Sequence, residues 1–456
     1  LTLRVQSSGC RVLGGFESLH QFTPHPFFRL EFEPEIIVQT EWDVIIVGAG
    51  AAGLWAAGTA AQRGRKVLLL EKNNKAGVKI LMSGGTRCNI THNCDSRKIA
   101  EAFGRQGKVL LSVLKRLTPE DVVHEFHALG VATKVEETGK VFPASDRALD
   151  VRDALVRRLQ TAGAFLRTGA SVLQTSSTAD GGFTVHARID GYLQNLNCTS
   201  LLITTGGLSY SGCGTTGDGY PWVKRFGHTV TPLRPALTPL LSDANWVHEL
   251  SGLTLDDVTV TAKVSSGNSP LSTERNSSRG GFLWTHFGCS GPTAMNVSRC
   301  FADLETGTQA SIHLDLLPAM SRTDCEKWFT DLAKNGNRTV ENLVATLIPR
   351  RLTQCVMRHI DAPESIRLAE FSKRHRNLLI ERLKALAIPI HGTRGYPKAE
   401  VTAGGVELGE INFQDMQSRK QPGLFLAGEI LDLDGPIGGF NFQAAWSTGH
   451  AAGLAV

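Results

Sequence analysis

One stretch, Asp43–Glu71 (DVIIVGAGAAGLWAAGTAAQRGRKVLLLE), restricts the folds open to this chain more than any other. Val44–Val47 is a short apolar, β-branched run of the kind that forms a strand buried on both faces of a parallel sheet. Gly48, Gly50 and Gly53 follow as G-x-G-x-x-G, where strand passes into helix. The first glycine permits the tight turn, and the second lets the backbone around Ala51 and Ala52 approach a pyrophosphate. The third lets helix and strand pack closely, with the phosphates on the helix N-terminus. Ala51–Gln62 has the alanine content of a crowded crossover helix, and Gly64 can stop it. Val67–Leu70 is the second strand, ending at Glu71 about 20 residues beyond the glycines, where an acid binds a ribose 2′-hydroxyl. The ordered unit predicts an adenine-dinucleotide site in an α/β, Rossmann-type domain; the competing reading is a glycine-rich turn that binds nothing.

A chain of 456 residues has room for two or three domains. Its net charge of +5 is too small for this length to argue for nucleic acid or a membrane surface. No run approaches the ~18 consecutive apolar residues of a transmembrane helix. The nine cysteines are scattered and odd in number, and Cys88 and Cys94 match no common zinc spacing. Reduced thiols in a cytoplasmic protein are therefore expected, with no metal site.

Residues 1–40 read as an N-terminal extension. It starts at Leu1 without a methionine, as a fragment or an unusual start codon would, and lacks the apolar core of a signal peptide. After Glu71 and Lys72 comes the glycine-rich segment AGVKILMSGGTRCNITH, in which Gly84 and Gly85 let backbone press against a ligand. Lys79, Ser83, Arg87 and Asn89 supply donors for phosphate, ribityl or ring oxygens, and Cys88 lies among them. A solvated basic loop is the alternative, outweighed by glycine density and by position directly after the acid.

Strands are expected at Ala164–Val172, with Val172 at its end, at Phe183–Ile189 and at Asn197–Thr204. The last runs into Thr205 and Gly206 and emerges beside the dinucleotide. Residues 41–228 thus form the first part of the cofactor domain. From Thr229 the texture changes: three prolines in Val230–Leu240, then alternation over Leu253–Val264, suit antiparallel strands. Residues 229–390 read as an insert, β-rich over 229–320 and helical over 321–390. Residues 391–456 return to the first style. There GLFLAG leads to Gly428 and Glu429, and the turn GPIGG leads to Gly439, Phe440, Asn441 and an alanine-rich helix.

These residues carry a family resemblance. DVIIVGAGAAGLWAA, KILMSGGTRCNITH, GKVFPAS, TTGGLSY, THFGCSGP, VTAGGVEL and GLFLAGEILDLDGPIGGFNFQAAWSTG together resemble the BaiN/YhiN-like flavoproteins, NAD(P)/FAD-dependent oxidoreductases, from about Glu41 to Val456. The resemblance implies FAD in a two-part Rossmann-type domain with a barrel-like and helical insert. It implies that Glu71 is the adenosine-ribose acid and that Gly84, Gly85, Arg87 and Asn89 face the cofactor. Gly428 and Glu429 then match the ribityl-side turn, and Gly439 to Asn441 the flavin-side helix start. Thr86 departs from a third glycine common in the family, so the backbone there is expected to sit differently, and Tyr210–Thr216 departs from a proline-containing form.

The expected function is that of an FAD-dependent oxidoreductase. It passes a hydride or two electrons from a reductant such as NAD(P)H to an organic substrate, by carbon–carbon double-bond reduction in the reading the family suggests. The flavin performs the chemistry and the protein orients it. His286, in WTHFG, is the candidate acid or base. No second G-x-G-x-x-G with strand and acid is present, so a nicotinamide would dock transiently in the cleft between cofactor domain and insert, alternating there with the small-molecule substrate. The alternatives are an RNA-associated flavoprotein, using Arg350, Arg351, Arg358, Lys373, Arg374 and Arg376, and a flavin redox sensor without turnover. Acids interleave with those cations, which fits a solvated face better than a nucleic-acid partner.

Overall fold

The computed structural model describes residues 37–265, 276–305, 307–332, 338–363 and 365–456. Five parallel strands form the centre of a nine-stranded sheet, in spatial order Leu424–Leu426, Tyr192–Ile203, Ile37–Val47, Val67–Leu70 and Phe165–Arg167. The apolar runs noted in the sequence are the central strands. Val44, Ile45, Ile46, Val67, Leu69, Leu201, Leu202 and Ile203 are inaccessible to solvent, as strands covered on both faces require. The antiparallel strands Phe183–Ile189 and Ala170–Ser177 extend the sheet from Tyr192–Ile203. Residues 1–36 of the expected extension lie outside the described residues. Residues 37–40 do not belong to an extension; Ile37 and Val38 begin the first strand, pairing with Gln194 and Asn195.

The first helix, Ala51–Gln62, and the last, Phe440–Ala455, lie against each other on one face of this sheet and meet through glycines. A Cβ at Gly449 would sit 2.4 Å from the Ala52 carbonyl oxygen, and one at Gly453 would sit 2.7 Å from that of Ala56. Both helices are hydrophobic nearly all round, because sheet, neighbours and each other cover them. Arg63 and Arg65 donate to the Val456 carbonyl oxygen at 2.8 and 3.1 Å, pinning the ends together.

A second sheet of seven antiparallel strands is built between the two halves of the first. Its order is Leu386–Pro389, Gln309–Asp315, Thr254–Ser265, Ser277–Thr285, Gly288–Ser290, Leu240–Leu241 and Gly392–Thr393. Helices Arg322–Leu332, Val340–Val344, Arg350–Arg358 and Lys373–Lys384 follow the fifth strand made, Gln309–Asp315, and their apolar residues Leu352, Val356, Leu379 and Leu383 share a core with Val258, Val260, Trp284 and Ile312. The reading of 321–390 as helical needs correction at its end. Leu386–Pro389 is a strand whose Leu386 and Ile388 are buried while Ala387 and Pro389 are exposed, a period of two hidden by the charged helix before it. Arg234–Ala236 pairs with Val401–Ala403 in a two-stranded ribbon where the chain enters and leaves this region. The fold is thus a two-part Rossmann-type α/β domain with an inserted β-rich and helical region.

Candidate functional site

A cavity of about 470 Å³ lies at the carboxyl ends of the parallel strands, where ligands of open α/β sheets bind. Gly48–Ala52 form one wall. Gly48 has φ 103°, and a Cβ there would meet the Thr204 carbonyl oxygen at 2.6 Å. Around Gly50 there is open space: an added Cβ meets no atom within 4 Å. Gly50 also caps the first helix without a side-chain hydrogen bond, so the first-turn N–H groups remain available to an anion. Gly53 does not line the cavity; it lies beneath it, where a Cβ would come within 2.0 Å of the Gly48 carbonyl oxygen.

Glu71 closes the second strand and is 8 % exposed. Its Oε2 accepts from the Ala49 N–H at 2.9 Å, and its Oε1 accepts from the backbone and side chain of Asn73 at 2.9 and 2.8 Å. The acid therefore braces the glycine turn as well as facing the cavity. Lys72, beside it, forms an ion pair with Asp218 and donates to Thr216 Oγ1, fastening the loop that carries those two residues to the end of the second strand.

The opposite wall comes from the C-terminal half. Gly428 has φ 78°, and its Cα lies so near the first helix that a Cβ would sit 2.9 Å from Ala52 Cβ. Glu429 is the hub of a network: Oε2 accepts from Lys79 Nζ at 2.5 Å, and Oε1 accepts from Ser209 Oγ at 2.5 Å and from the Thr402 N–H at 2.9 Å. Lys79 also donates to Ser209 Oγ at 2.7 Å, and Thr402 Oγ1 accepts from the N–H groups of Leu208 and Ser209. Four separate chain segments are held by this cluster, and sequence reading singled out only Lys79 and Glu429 of it.

Gly439, φ 92°, caps the last helix without a side-chain bond, so a second helix N-terminus opens on the same space. Asn89, with its amide oriented by its neighbours, accepts from the Gly439 N–H at 3.0 Å and donates to the Thr91 carbonyl at 3.0 Å. Asn441 folds back on the preceding turn, accepting from the Gly435 N–H at 2.8 Å. Ser83, Gly84, Val172, Thr205 and Gly206 complete the lining drawn from the residues expected there.

Other expected residues lie elsewhere. Arg87 does not line the cavity; it pairs with Glu136 at 2.7 Å and lies 4.0 Å over the Phe142 ring. Gly85 and Cys88 lie outside the lining as well, and burial pushes the Cys88 thiol up to about 12, away from thiolate chemistry. Phe440 stacks on His92 at 4.7 Å rather than facing the cavity. His286 occupies an exposed hairpin turn between Thr285 and Gly288, its ring against Phe287, outside the cavity. A tip in WTHFG is held out by the register of the strands on both sides. The helix Ser83–Thr86 keeps Thr86 at φ 70°, the left-handed region a glycine would take there.

Sequence reading missed Glu400. It lines the cavity from the end of the ribbon strand, with its N–H bonded to the Leu237 carbonyl at 3.0 Å. Burial raises its carboxyl above the usual glutamate range, opposed by the positive charges of Lys79 and Lys140. The motif EVTAGG contains it, but nothing in local spacing marks that acid as enclosed.

No described residue of 229–390 lines the large cavity. A smaller cavity of about 180 Å³ lies where the inserted region meets the C-terminal half, between Leu237, Ser278, Asn296 and Arg299 on one side and Asp434 and Gly435 on the other. Pro436 borders both cavities. Among the described residues no group of His, Cys, Asp and Glu could hold a metal, the cysteines are free thiols, and no helix is long and apolar enough to cross a membrane.

The HI0933-like protein Rossmann domain matches residues 42–455, and the chain belongs to this family of FAD-dependent oxidoreductases. It is 32 % identical over 411 residues to a ribosomal RNA dihydrouridine synthase of Escherichia coli, covering 90 % of this chain and 96 % of that protein. It is 30 % identical over 416 residues to a 3-dehydro-bile acid delta(4,6)-reductase of Clostridium scindens, covering 90 % and 98 %. Among solved structures it is similar to a flavocytochrome c3 fumarate reductase in an open conformation, with a TM-score of 0.47, 18 % identity, and 93 % and 78 % of the two chains covered.

Proposed function

We propose that this member of the HI0933-like family is a reductase that saturates a carbon–carbon double bond conjugated to a carbonyl, drawing electrons from NAD(P)H through FAD. The observation that carries the reading is the cavity itself. Two uncapped helix N-termini, a ribose-type acid and a desolvated carboxyl open on one space at the strand ends. The names of the relatives support it, since a dihydrouridine and the product of a delta(4,6)-reductase are both products of adding hydrogen across such a bond.

The donor set suits FAD. The N–H groups of Ala51 and Ala52 would take the pyrophosphate, and Gly48 and Gly50 leave it room. Glu71 would accept from the adenosine ribose, and Glu429, held by Lys79 and Ser209, from the ribityl chain. Gly439, held by Asn89, would turn the last helix N-terminus toward the ring, where its amides favour negative charge. Bound there, FAD supplies hydride transfer. The protein's part is to fix the ring, to keep water from it, and to deliver a proton to the acceptor.

The smaller cavity beside Pro436 is where acceptor and nicotinamide would alternate, at the seam with the inserted region. The test is anaerobic: protein reduced with NADPH is mixed with a 3-dehydro-4,6-diene bile acid or with a uridine-containing ribosomal RNA fragment, and flavin reoxidation is followed. Reoxidation with formation of the saturated product is expected; reoxidation by neither would refute the reading.

RNA as the carrier of the acceptor is a second reading, favoured by two relatives named for ribosomal RNA, in Escherichia coli and Haemophilus influenzae. The cations of the helical region give it less support. Arg350 is paired with Glu341 at 3.1 Å, Arg358 with Glu249 at 2.8 Å, and Arg351 donates to the Glu249 carbonyl.

A further inference from the structure

We infer that Glu400 is the proton donor of the site, giving its carboxyl proton to the carbon adjacent to the one that receives the hydride. The inference rests on the double-bond reading above and names the residue that completes it.

The position of Glu400 is the first argument. It stands at the entrance to the ribbon in which Arg234–Ala236 pairs with Val401–Ala403. Its own residue lines the large cavity, while Leu237, to which its backbone is bonded, lines the smaller one. The acid therefore lines the cofactor space one backbone hydrogen bond away from the lining of the seam cavity, so an acceptor reaching in from the seam would meet it beside the hydride source.

Its lack of partners is the second. Every other acid near the cavity is spoken for: Glu71 by Ala49 and Asn73, Glu429 by Lys79, Ser209 and Thr402, and Asp218 by Lys72. Glu400 has no side-chain hydrogen bond or ion pair among the described residues. By surface area the residue is only half-buried, yet it is surrounded deeply enough for desolvation to dominate. Burial without a partner shifts a carboxyl toward its protonated form, the form a general acid uses. The groups that face it are Lys79, Lys140 and Tyr210, and burial raises the Tyr210 hydroxyl, so the tyrosine adds no competing anion.

The step balances without a further reagent. The O–H bond of Glu400 breaks and a C–H bond forms on the acceptor carbon. The C=C bond becomes single, and its two added electrons arrive with the hydride from reduced FAD, which NAD(P)H recharges. Solvent then returns a proton to the carboxylate.

The test uses the full-length holoprotein and the Glu400→Gln variant, which keeps shape and polarity but has no acidic proton. The variant should retain FAD and be reduced by NADPH, and reoxidised by ferricyanide, at the parental rates. Its reoxidation by the diene bile acid, the RNA fragment or 2-cyclohexen-1-one, whichever oxidises the parent fastest, should fall about 10²- to 10⁴-fold. Equal reoxidation by that acceptor overturns the assignment. An infrared difference spectrum at pH 7 should show a protonated-carboxyl band in the parent that the variant lacks; its absence from the parent also overturns it. A parent that ferricyanide oxidises but no double-bond acceptor does would instead refute the functional reading, and the proton-donor role with it.

Discussion

Replacing Glu71 by alanine separates two roles that one carboxylate plays. An ionised carboxylate offers about four lone-pair positions, and three are occupied here by the Ala49 N–H and by the backbone and side chain of Asn73. One position, on Oε2, is left for a ribose hydroxyl. The FAD share of the loss is therefore one charge-assisted hydrogen bond, about 1.5–3 kcal/mol, which weakens FAD binding by about 10- to 150-fold. The structural share is the Ala49 N–H, which is fully buried and would lose its acceptor at a cost of about 1–3 kcal/mol. Asn73 is half-buried, so water can take over its donors. Apoprotein variants titrated with FAD give the first quantity, and denaturant unfolding of the same apoproteins gives the second. Glu71→Gln should show part of both losses, because its single oxygen can face Ala49 or Asn73 but not both, and Glu71→Arg should bind FAD worst. An alanine variant that unfolds earlier yet binds FAD with parental affinity would refute the ribose assignment and leave Glu71 as a brace alone.

Gly449→Val should misdock the last helix, since even a Cβ would lie 2.4 Å from the Ala52 carbonyl oxygen; a loss of about 1–3 kcal/mol or more and poor FAD retention are expected, and parental stability would contradict the close contact. Thr86→Gly should stabilise the apoprotein by about 0.5–1 kcal/mol, the left-handed strain of a β-branched residue at φ 70° less the extra freedom glycine has when unfolded; a lower unfolding midpoint would oppose this. With NAD(P)H and acceptor sharing one seam, steady-state kinetics should give parallel double-reciprocal lines, and intersecting lines with a ternary complex would argue for two separate pockets.

That the glycine turn, the acid after it and the segment around Gly428 and Gly439 meet at one cavity was legible because each is a local pattern of contiguous residues. Spacing does not tell which side of a loop faces inward, however. Lys79, Ser83, Gly84 and Asn89 reach the cavity, while Gly85, Arg87 and Cys88, interleaved with them, do not. The Glu429 network was illegible for another reason: Ser209, Thr402 and Glu429 are joined across about 200 residues by tertiary pairing alone. Glu400 was missed on the same ground, since enclosure is a property of everything around a side chain. His286 attracted notice as a histidine among aromatics, but those aromatics mark a hairpin, and its tip points away.

The two-part build has a consequence for how the protein is made. Tyr192–Ile203 accepts Leu424–Leu426 as its parallel neighbour, and the first helix waits for Phe440–Ala455 to cover it. A ribosome adding about 5–20 residues per second needs roughly 10–45 s to travel from one of those strands to the other. Throughout that interval the nascent chain presents an unpaired strand edge and a bare, alanine-rich helix face, both prone to stick to other chains. The inserted region can fold meanwhile on its own core, but the wall that contains Gly428 and Glu429 has not yet been synthesised. FAD therefore cannot template the early chain; it can only seal a sheet whose last strand has already arrived.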